Sequence, residues 1–223
     1  MITESGLSED ITNEELFPSS YLVFRSDRNL RATGHERGGG VLIAVKKELN
    51  VVELKLDSII NIVPSIDAVG CKVTINNTTL LIFALYIPPP TLIVEYELFL
   101  DTFEKLSVFE SDPNILICGD FNINKYISDS NDTKVRLINN FMAFLDVKQY
   151  NTVLNANERL LDLILGNFKC DISRDDIPIV KEDRHHPSLA IDFQLDTKVS
   201  NNFSFSSEPK AYNFKKSKFP AII

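Results

Sequence analysis

The sequence predicts an α+β fold in which two β-sheets pack face to face, with helices on the outside. Short apolar or alternating segments typical of strands recur along most of the chain. Convincing helical periodicity is confined to residues 92–109 and 133–145, and strands and helices do not alternate strictly as they do in parallel α/β proteins. With 223 residues, 44% of them hydrophobic, the chain has the size and composition of one packed domain.

The first part of the chain contains strands separated by polar segments. Residues 1–4 have the character of a strand end, and residues 5–15 are polar and acidic, as at the starts of short helices. Glycines 38–40 are followed by no Gly-Lys-Ser/Thr, so they indicate a turn and not a nucleotide-binding loop. Asn76 and Asn77 predict a hairpin turn. Strands are predicted over 21–24, 41–45, 51–56, 68–75 and 79–87.

The second part carries the two helices and the remaining strands. Apolar residues at 99, 103 and 106 predict an amphipathic helix within 92–109, after prolines 88–90 end the preceding strand. Strands are predicted over 114–118, 150–153, 160–165 and 189–193, with a strand and loop in 168–180. We therefore expect one domain over residues 1–195, followed by a polar tail or linker over 196–223.

Charge and cysteine usage exclude several classes of protein. A net charge of −8 argues against a broadly basic nucleic-acid-binding surface. A contact with DNA would need a local patch, although charged loop residues are more often simply solvated. The candidates for such a patch are Arg25, Arg28, Arg31 and Arg37.

The three cysteines, at positions 71, 118 and 170, have no paired spacing, which indicates a reducing intracellular compartment and neither a disulfide scaffold nor a zinc site. We find no secretory signal and no apolar run long enough for a membrane helix.

The segment with the clearest chemical potential is residues 114–122. Its apolar start predicts a strand buried on both faces, and Gly119 is expected to break the strand and allow a turn. Asp120 and Asn122 would then project to the same side, because side chains alternate along a strand. Such a pair suits a hard metal ion or a phosphate ester, although these residues are also typical of an ordinary turn. Asp162, inside an apolar run, must cap a turn or face a polar site, since its burial alone would be costly.

Six short motifs follow one another in an informative order. They are Thr3-Glu4, Gly38-Gly39-Gly40-Val41, Tyr86-Ile87-Pro88, Gly119-Asp120-Phe121-Asn122, Leu161-Asp162-Leu163 and His185-His186-Pro187. Together they resemble the endonuclease/exonuclease/phosphatase superfamily, and most closely the apurinic-type endonuclease domain of non-LTR retrotransposons. The resemblance covers nearly the whole chain. It implies a DNase I-like four-layer fold, metal-dependent nicking of DNA and, in the parent element, an attached reverse transcriptase; an active enzyme would be nuclear.

The resemblance also implies roles for individual residues. Asp120 would orient or deprotonate the attacking water, Asn122 would bind a non-bridging phosphate oxygen, and Tyr86 would support the phosphate or orient the nucleophile. Arg37 is a further candidate for substrate binding. The metal would be Mg²⁺, with Mn²⁺ as an alternative. Its ligands or supporting carboxylates would be Glu4, Asp162 and Asp183.

The catalytic histidine has two candidates. The related proteins carry Ser-Asp-His-x-Pro and then an apolar residue, whereas this chain reads Glu-Asp-Arg-His-His-Pro-Ser-Leu over 182–189. Matching Leu189 to the apolar residue selects His186, which the alternation of the following strand favours, and matching Pro187 selects His185. In neither register does an aspartate precede the histidine directly, so the supporting carboxylate would have to come from Asp183 or be absent. The resemblance also allows Asp162 to help fix the catalytic histidine, as an alternative to its role at the metal.

Two departures from the resemblance bear on activity. The related domains have a first strand, with a metal-binding asparagine, before the position of Glu4, and they have tryptophan where this chain has Gly6. We therefore expect an N-terminally truncated copy or an incomplete gene. The alternative to an active endonuclease is a catalytically inactive remnant, either inert or acting as a binding module.

Overall fold

A computed structural model describes residues 1–28, 38–76, 78–109, 113–179 and 182–195. Its strands are β1 (Ile2–Thr3), β2 (Tyr21–Ser26), β3 (Val41–Lys46), β4 (Asn50–Leu54), β5 (Asp67–Ile75), β6 (Thr78–Tyr86), β7 (Asn114–Asp120), β8 (Lys148–Gln149), β9 (Asp162–Gly166), β10 (Cys170–Arg174) and β11 (Leu189–Phe193). Its helices are α1 (Asn13–Leu16), α2 (Asp57–Ile60), α3 (Ile93–Glu104) and α4 (Thr133–Phe144), with a 3₁₀ turn at Ser107–Phe109.

The centre of the fold is a six-stranded sheet in the order β4-β5-β6-β7-β9-β8. Only β6 and β7 pair in parallel; the other neighbours in this sheet are antiparallel. A three-stranded sheet, β1-β3-β2, and a two-stranded sheet, β10-β11, share one hydrophobic core with it. The predicted sandwich is confirmed, but its second layer is divided into two sheets. In the described part of the chain, no strand pairs with the remaining edge of β1 or of β11.

The six-stranded sheet is buried on both faces, as the apolar runs predict. Along β6, Leu81, Phe83 and Leu85 belong to the core under the helices, whereas Ala84 and Tyr86 belong to the core between the sheets. This division follows from the alternation of side chains along a strand. The helix-side core also contains Tyr96, Phe99 and Phe103 of α3 and Val135, Ile138 and Phe141 of α4.

Both long helices lie where the sequence predicts them. The helix predicted within 92–109 ends at Glu104, and the 3₁₀ turn follows it. Asp132 caps α4, because its side chain accepts a 2.9 Å hydrogen bond from the Lys134 backbone N–H. Near the smaller sheets, the described residues contribute only the single turn α1, whose Asn13 amide donates to the Val23 carbonyl oxygen of β2. No helix in the described ranges is both long and apolar enough to span a membrane.

The strand predicted over 150–153 is wrong. The edge strand β8 comes earlier, at Lys148–Gln149, and the side chain of Asn151 then replaces ladder bonds. Its Oδ1 accepts from the Val153 N–H over 2.9 Å, and its Nδ2 donates to the Asp162 carbonyl oxygen over 2.7 Å. An asparagine that bonds to the backbone two residues on forms a turn, which ends the strand.

The structure differs from both predictions made for glycines. Gly119 does not end its strand, because β7 continues through Asp120. A methyl group at Gly119 would overlap the Leu85 carbonyl oxygen of β6, so glycine is required there for the close approach of two strands. Glycines 38–40 have the positive φ that glycine permits, between 79° and 83°, but the structure has no turn at these three residues, so the predicted turn is wrong. Residues 196–223 lie outside the described part, so the domain boundary near 195 stays a prediction.

Candidate active site

Four polar side chains stand in one row across neighbouring strands of the six-stranded sheet. Asp67 of β5 pairs with Tyr86 of β6, Tyr86 pairs with Asp120 of β7, and Asp120 pairs with Asp162 of β9. Residues directly opposite one another on paired strands share a face. This face is the one covered by the smaller sheets, where Tyr86 packs. The strand register therefore brings together three of the predicted site residues and adds Asp67.

Asp120 is fully buried, and Asn122 donates hydrogen bonds to both of its carboxylate oxygens. The Asn122 backbone N–H donates to Asp120 Oδ1 over 3.0 Å, and its side-chain amide donates to Oδ2 over 2.6 Å. The same amide nitrogen donates to the Ile87 carbonyl oxygen over 3.0 Å. Asn122 has a left-handed φ of 50°, which a short polar side chain tolerates when it bonds locally. Since both amide hydrogens are used here, the predicted contact between Asn122 and a phosphate oxygen stays a prediction.

His186 lies between the two carboxyl groups. Its Nδ1 is 3.1 Å from both carboxylate oxygens of Asp162, and its Nε2 is 3.6 Å from Asp120 Oδ2. The imidazole is half-buried, and Asp162 comes from β9 at the same level of the sheet as Asp120. The aspartate beside His186 is thus Asp162, a residue distant in the sequence, and not Asp183.

Burial and mutual charge shift the pKa of all three groups. Burial raises the pKa of the Asp120 carboxyl to about 7, and the charges of Asp162 and Glu4 act in the same direction against that of His186. Burial also raises the pKa of Asp162, opposed by its bond to the imidazole. For His186, burial lowers the pKa, but the bond to Asp162 and the nearby carboxylates outweigh it and raise the pKa to about 9. At neutral pH the imidazole is therefore a cation between two acidic groups.

Glu4 and Tyr86 form the other side of the site. Glu4 follows β1, is exposed and has a left-handed φ of 51°. Burial raises the pKa of Tyr86, and the neighbouring carboxylate of Glu4 acts in the same direction, so the phenol stays neutral beside Glu4.

Asp183 borders this cluster without joining it, and its charge acts on Asp162 and His186. Asp183 Oδ1 accepts from the backbone N–H groups of His185 and His186 over 2.6 and 2.8 Å, which shapes the loop before β11. The His185 ring is exposed, with Nδ1 3.3 Å from Asn157 Nδ2. Of the two candidate histidines, the structure places only His186 against Asp120 and Asp162.

Of the four arginines in the predicted patch, two are largely buried and two lie outside the described residues. Arg25 forms an ion pair of 3.0 Å with Asp27, and Arg28 forms one of 2.6 Å with Asp67; both guanidinium groups are largely buried. Neither is a solvated loop residue or an open phosphate contact, because buried acids already occupy them. Arg31 and Arg37 lie outside the described residues.

The acidic cluster fits a divalent cation. One carboxylate oxygen of Asp120 and one of Asp162 lie within 4.8 Å of each other, and the charge of Glu4 acts on both aspartates. His186 lies equally close, but its protonated imidazole has no lone pair for a metal. Hard cations such as Mg²⁺ prefer carboxylate oxygens, and Mn²⁺ accepts the same set. A cation there would favour the charged carboxylates and so oppose the burial that chiefly raises their pKa values.

No protein-family model and no curated protein matches the sequence, but solved structures match the fold. The endonuclease domain of TRAS1, a telomere-specific non-LTR retrotransposon, gives a TM-score of 0.56 at 14% identity, over 79% of this chain and 81% of that one. The catalytic domain of human Nocturnin gives 0.56 at 13% identity, over 86% and 79%. An endonuclease/exonuclease/phosphatase family protein from Leptotrichia buccalis gives 0.54 at 12%, over 82% and 74%. The chain has the endonuclease/exonuclease/phosphatase fold. The DNase I-like architecture expected from the order of the motifs is thereby confirmed.

Within this fold, sequence reasoning missed Asp67 and Asn151, and it assigned Arg28 to a different role. Asp67 lies in the row of polar side chains, and Asn151 anchors the first residue of β9 through the Asp162 carbonyl oxygen. Arg28, a candidate for a DNA-binding patch from the sequence, instead binds Asp67. Asp67 directly precedes an apolar strand, as Asp162 does, and that similarity was the available signal. Nothing local in the sequence distinguishes Arg28 or Asn151 from loop residues.

Proposed function

We propose that this protein is a divalent-cation-dependent phosphodiesterase that nicks DNA. The observation that carries the proposal is His186, held with Nδ1 3.1 Å from Asp162 and Nε2 3.6 Å from the buried Asp120. The base Asp120, the protonated imidazole of His186 and the second carboxylate, Asp162, thus lie next to one another where β7 pairs with β9. Phosphodiester hydrolysis requires a base for water and positive charge near the phosphate oxygens.

Asp120 is the residue that would receive the proton of the attacking water. A general base works best when its pKa is near the working pH, and the pKa of Asp120 is raised to about 7. Asn122 keeps the carboxylate oriented through the two bonds described above. As water attacks phosphorus, the bond to the leaving oxygen breaks, and that oxygen takes a proton to leave as an alcohol. The net reaction adds one water across the diester.

His186 would act chiefly through its charge. Its pKa of about 9 keeps the imidazole protonated at neutral pH, so it can donate to a phosphate oxygen as negative charge develops there. Asp162 fixes the ring by accepting from Nδ1, which leaves Nε2 directed toward Asp120. A divalent cation held by Glu4 and Asp162 would add positive charge at the phosphate.

DNA is the proposed substrate for two reasons. The motif order resembles retrotransposon endonucleases, and the TRAS1 domain that shares the fold is named as such an enzyme. Because the net charge is −8, contact with DNA must be local. Arg159 is exposed and donates to Asn124 Oδ1 over 3.1 Å. Because Asn124 is only two residues after Asn122, Arg159 is a candidate for such a local contact. Arg37 stays a candidate. A reverse transcriptase in the parent element and a nuclear site of action belong to the same proposal.

The test is nicking of supercoiled plasmid in Mg²⁺ or Mn²⁺. We expect nicked circles from the unchanged chain, and none in chelator or with Asp120→Ala or His186→Ala. The matched control is His185→Ala, which removes the adjacent exposed imidazole and should nick at the unchanged rate. A p-nitrophenyl phosphate assay tests whether the site instead prefers monoesters.

The opposite result has an equally definite meaning. If the folded protein does not nick, or if Asp120→Ala nicks as fast as the unchanged chain, the proposal is wrong. A folded chain without nicking supports the alternative of an inactive remnant. The divided second layer of the sandwich, with unpaired edges on β1 and β11 among the described strands, is the feature that favours this alternative.

A further inference from the structure

A buried ion pair joins Asp67, the first residue of the row, to Arg28, which lies outside it. Asp67 Oδ2 accepts three hydrogen bonds: from Arg28 Nη2 over 2.6 Å, from Arg28 Nε over 3.1 Å, and from the Gly40 N–H over 2.8 Å. The side chains of Arg28 and Asp67 are 6% and 4% exposed. Because removing two charges from water offsets most of their attraction, such a pair is weak evidence for stability. Its contribution is therefore sought in the arrangement of the residues around it.

The pair is in contact with Tyr86. The guanidinium carbon of Arg28 lies 5.0 Å from the centroid of the Tyr86 ring, a distance at which a cation over an aromatic face is attracted to it. Asp67 is also the strand partner of Tyr86. Arg28 therefore lies against the face of the ring whose hydroxyl feels the carboxylate of Glu4, which raises the pKa of Tyr86 in addition to burial.

The glycine segment, residues 38–40, connects the same pair to the segment that carries Glu4. The Ser5 N–H donates to the Gly40 carbonyl oxygen over 3.1 Å, and the Gly6 N–H donates to that of Gly39 over 2.9 Å. A methyl group on Gly39 would overlap the Arg28 guanidinium, so the glycine segment can lie against Arg28 only without a side chain there. Gly40, through its N–H to Asp67, links the glycine segment to the ion pair.

We propose that Arg28 and Asp67 are positioning residues that hold the Tyr86 hydroxyl and the Glu4 carboxylate together at the cation side of the active site. The proposal deepens the function proposed above and rests on it for its meaning in catalysis. Arg28 would position the ring of Tyr86, which it contacts directly. The glycine segment would position the backbone after Glu4, through its hydrogen bonds with Ser5 and Gly6.

The first test needs neither metal nor activity. In metal-free protein labelled with ¹³C-tyrosine, Tyr86→Phe identifies the Tyr86 signal, and Glu4→Gln gives its position when the carboxylate partner is lost. We expect Arg28→Met to move this signal toward the Glu4→Gln position. Arg28→Lys should fall between, since an ammonium keeps the charge but cannot bond to Asp67 as a fork. The control is Arg25→Met, which breaks the neighbouring ion pair with Asp27 and should leave the signal unmoved.

The second test uses nicking. Arg28→Met should raise the Mg²⁺ concentration for half-maximal nicking at least about tenfold, because Glu4 is no longer held, and Arg25→Met should not. A Tyr86 signal that does not move in folded Arg28→Met overturns the positioning role. If that variant does not fold, an unmoved signal in Arg28→Lys does so. A chain that never nicks, but whose Tyr86 signal follows Arg28, refutes the proposed function and leaves the positioning role standing.

Discussion

Raising the pH of the metal-free protein from 6.5 to 9.5 should weaken it through His186. The pKa of this imidazole is about 9 in the folded protein, against an ordinary value of 6.5, because of its bond to Asp162 and the nearby carboxylates. A folded-state pKa above the unfolded value contributes stability that is complete below about pH 6.5 and is lost as the pH rises through about 9. The difference between these two pKa values of His186 corresponds to about 3 kcal/mol of unfolding free energy. Since the side chain is 24% exposed, solvent screening should leave about 1–2 kcal/mol.

Two measurements check this prediction. Urea unfolding in chelator, at intervals between pH 6.5 and 9.5, gives the loss of unfolding free energy. NMR titration of the imidazole signals gives the pKa of His186 directly, with the exposed His185 as an internal reference. His185→Ala should keep the same loss. A free energy of unfolding that is flat or rising across this interval, or a His186 pKa at or below 6.5, would refute the reasoning.

Two further changes have predictable effects. Asp120→Asn should abolish nicking. It should also raise the unfolding free energy of the metal-free protein at pH 8 by about 1–2 kcal/mol, because it removes a buried charge on a carboxyl group whose pKa is raised to about 7. Urea unfolding at pH 8 measures this, and a destabilised variant would contradict it. Gly119→Ala should cost more than about 3 kcal/mol, since the added methyl overlaps the Leu85 carbonyl oxygen. Its control is Gly166→Ala in the adjacent strand, where the nearest atom is 3.3 Å away and the loss should be much smaller; equal losses would show that the close approach at Gly119 is unimportant.

The sequence predicted the core strands and both long helices because their signals are local. Alternation and apolar runs over five to nine residues decide which faces are buried, and the structure follows them along β6 and β7. The strand expected at 150–153 failed because one side chain, Asn151, competes for backbone partners, and composition does not reveal this.

The site was predictable residue by residue but not as an arrangement. Tyr86, Asp120 and Asp162 could be selected from motifs, whereas their alignment depends on the register of three strands that are far apart in the sequence. The role of Asp67 depends on Arg28, which is 39 positions away. Contacts of that range leave no periodic trace in the chain.

The alignment of the row also determines which changes of length the chain can tolerate. Inserting one residue early in β6 would turn Tyr86 toward the helices and place an aliphatic neighbour among the carboxylates, since each single step along a strand exchanges its two faces. An insertion in the exposed segment after Asn122 would disturb no strand pairing. Among natural copies of this gene, we therefore expect insertions and deletions to collect between strands, while β5, β6, β7 and β9 keep fixed lengths up to the row.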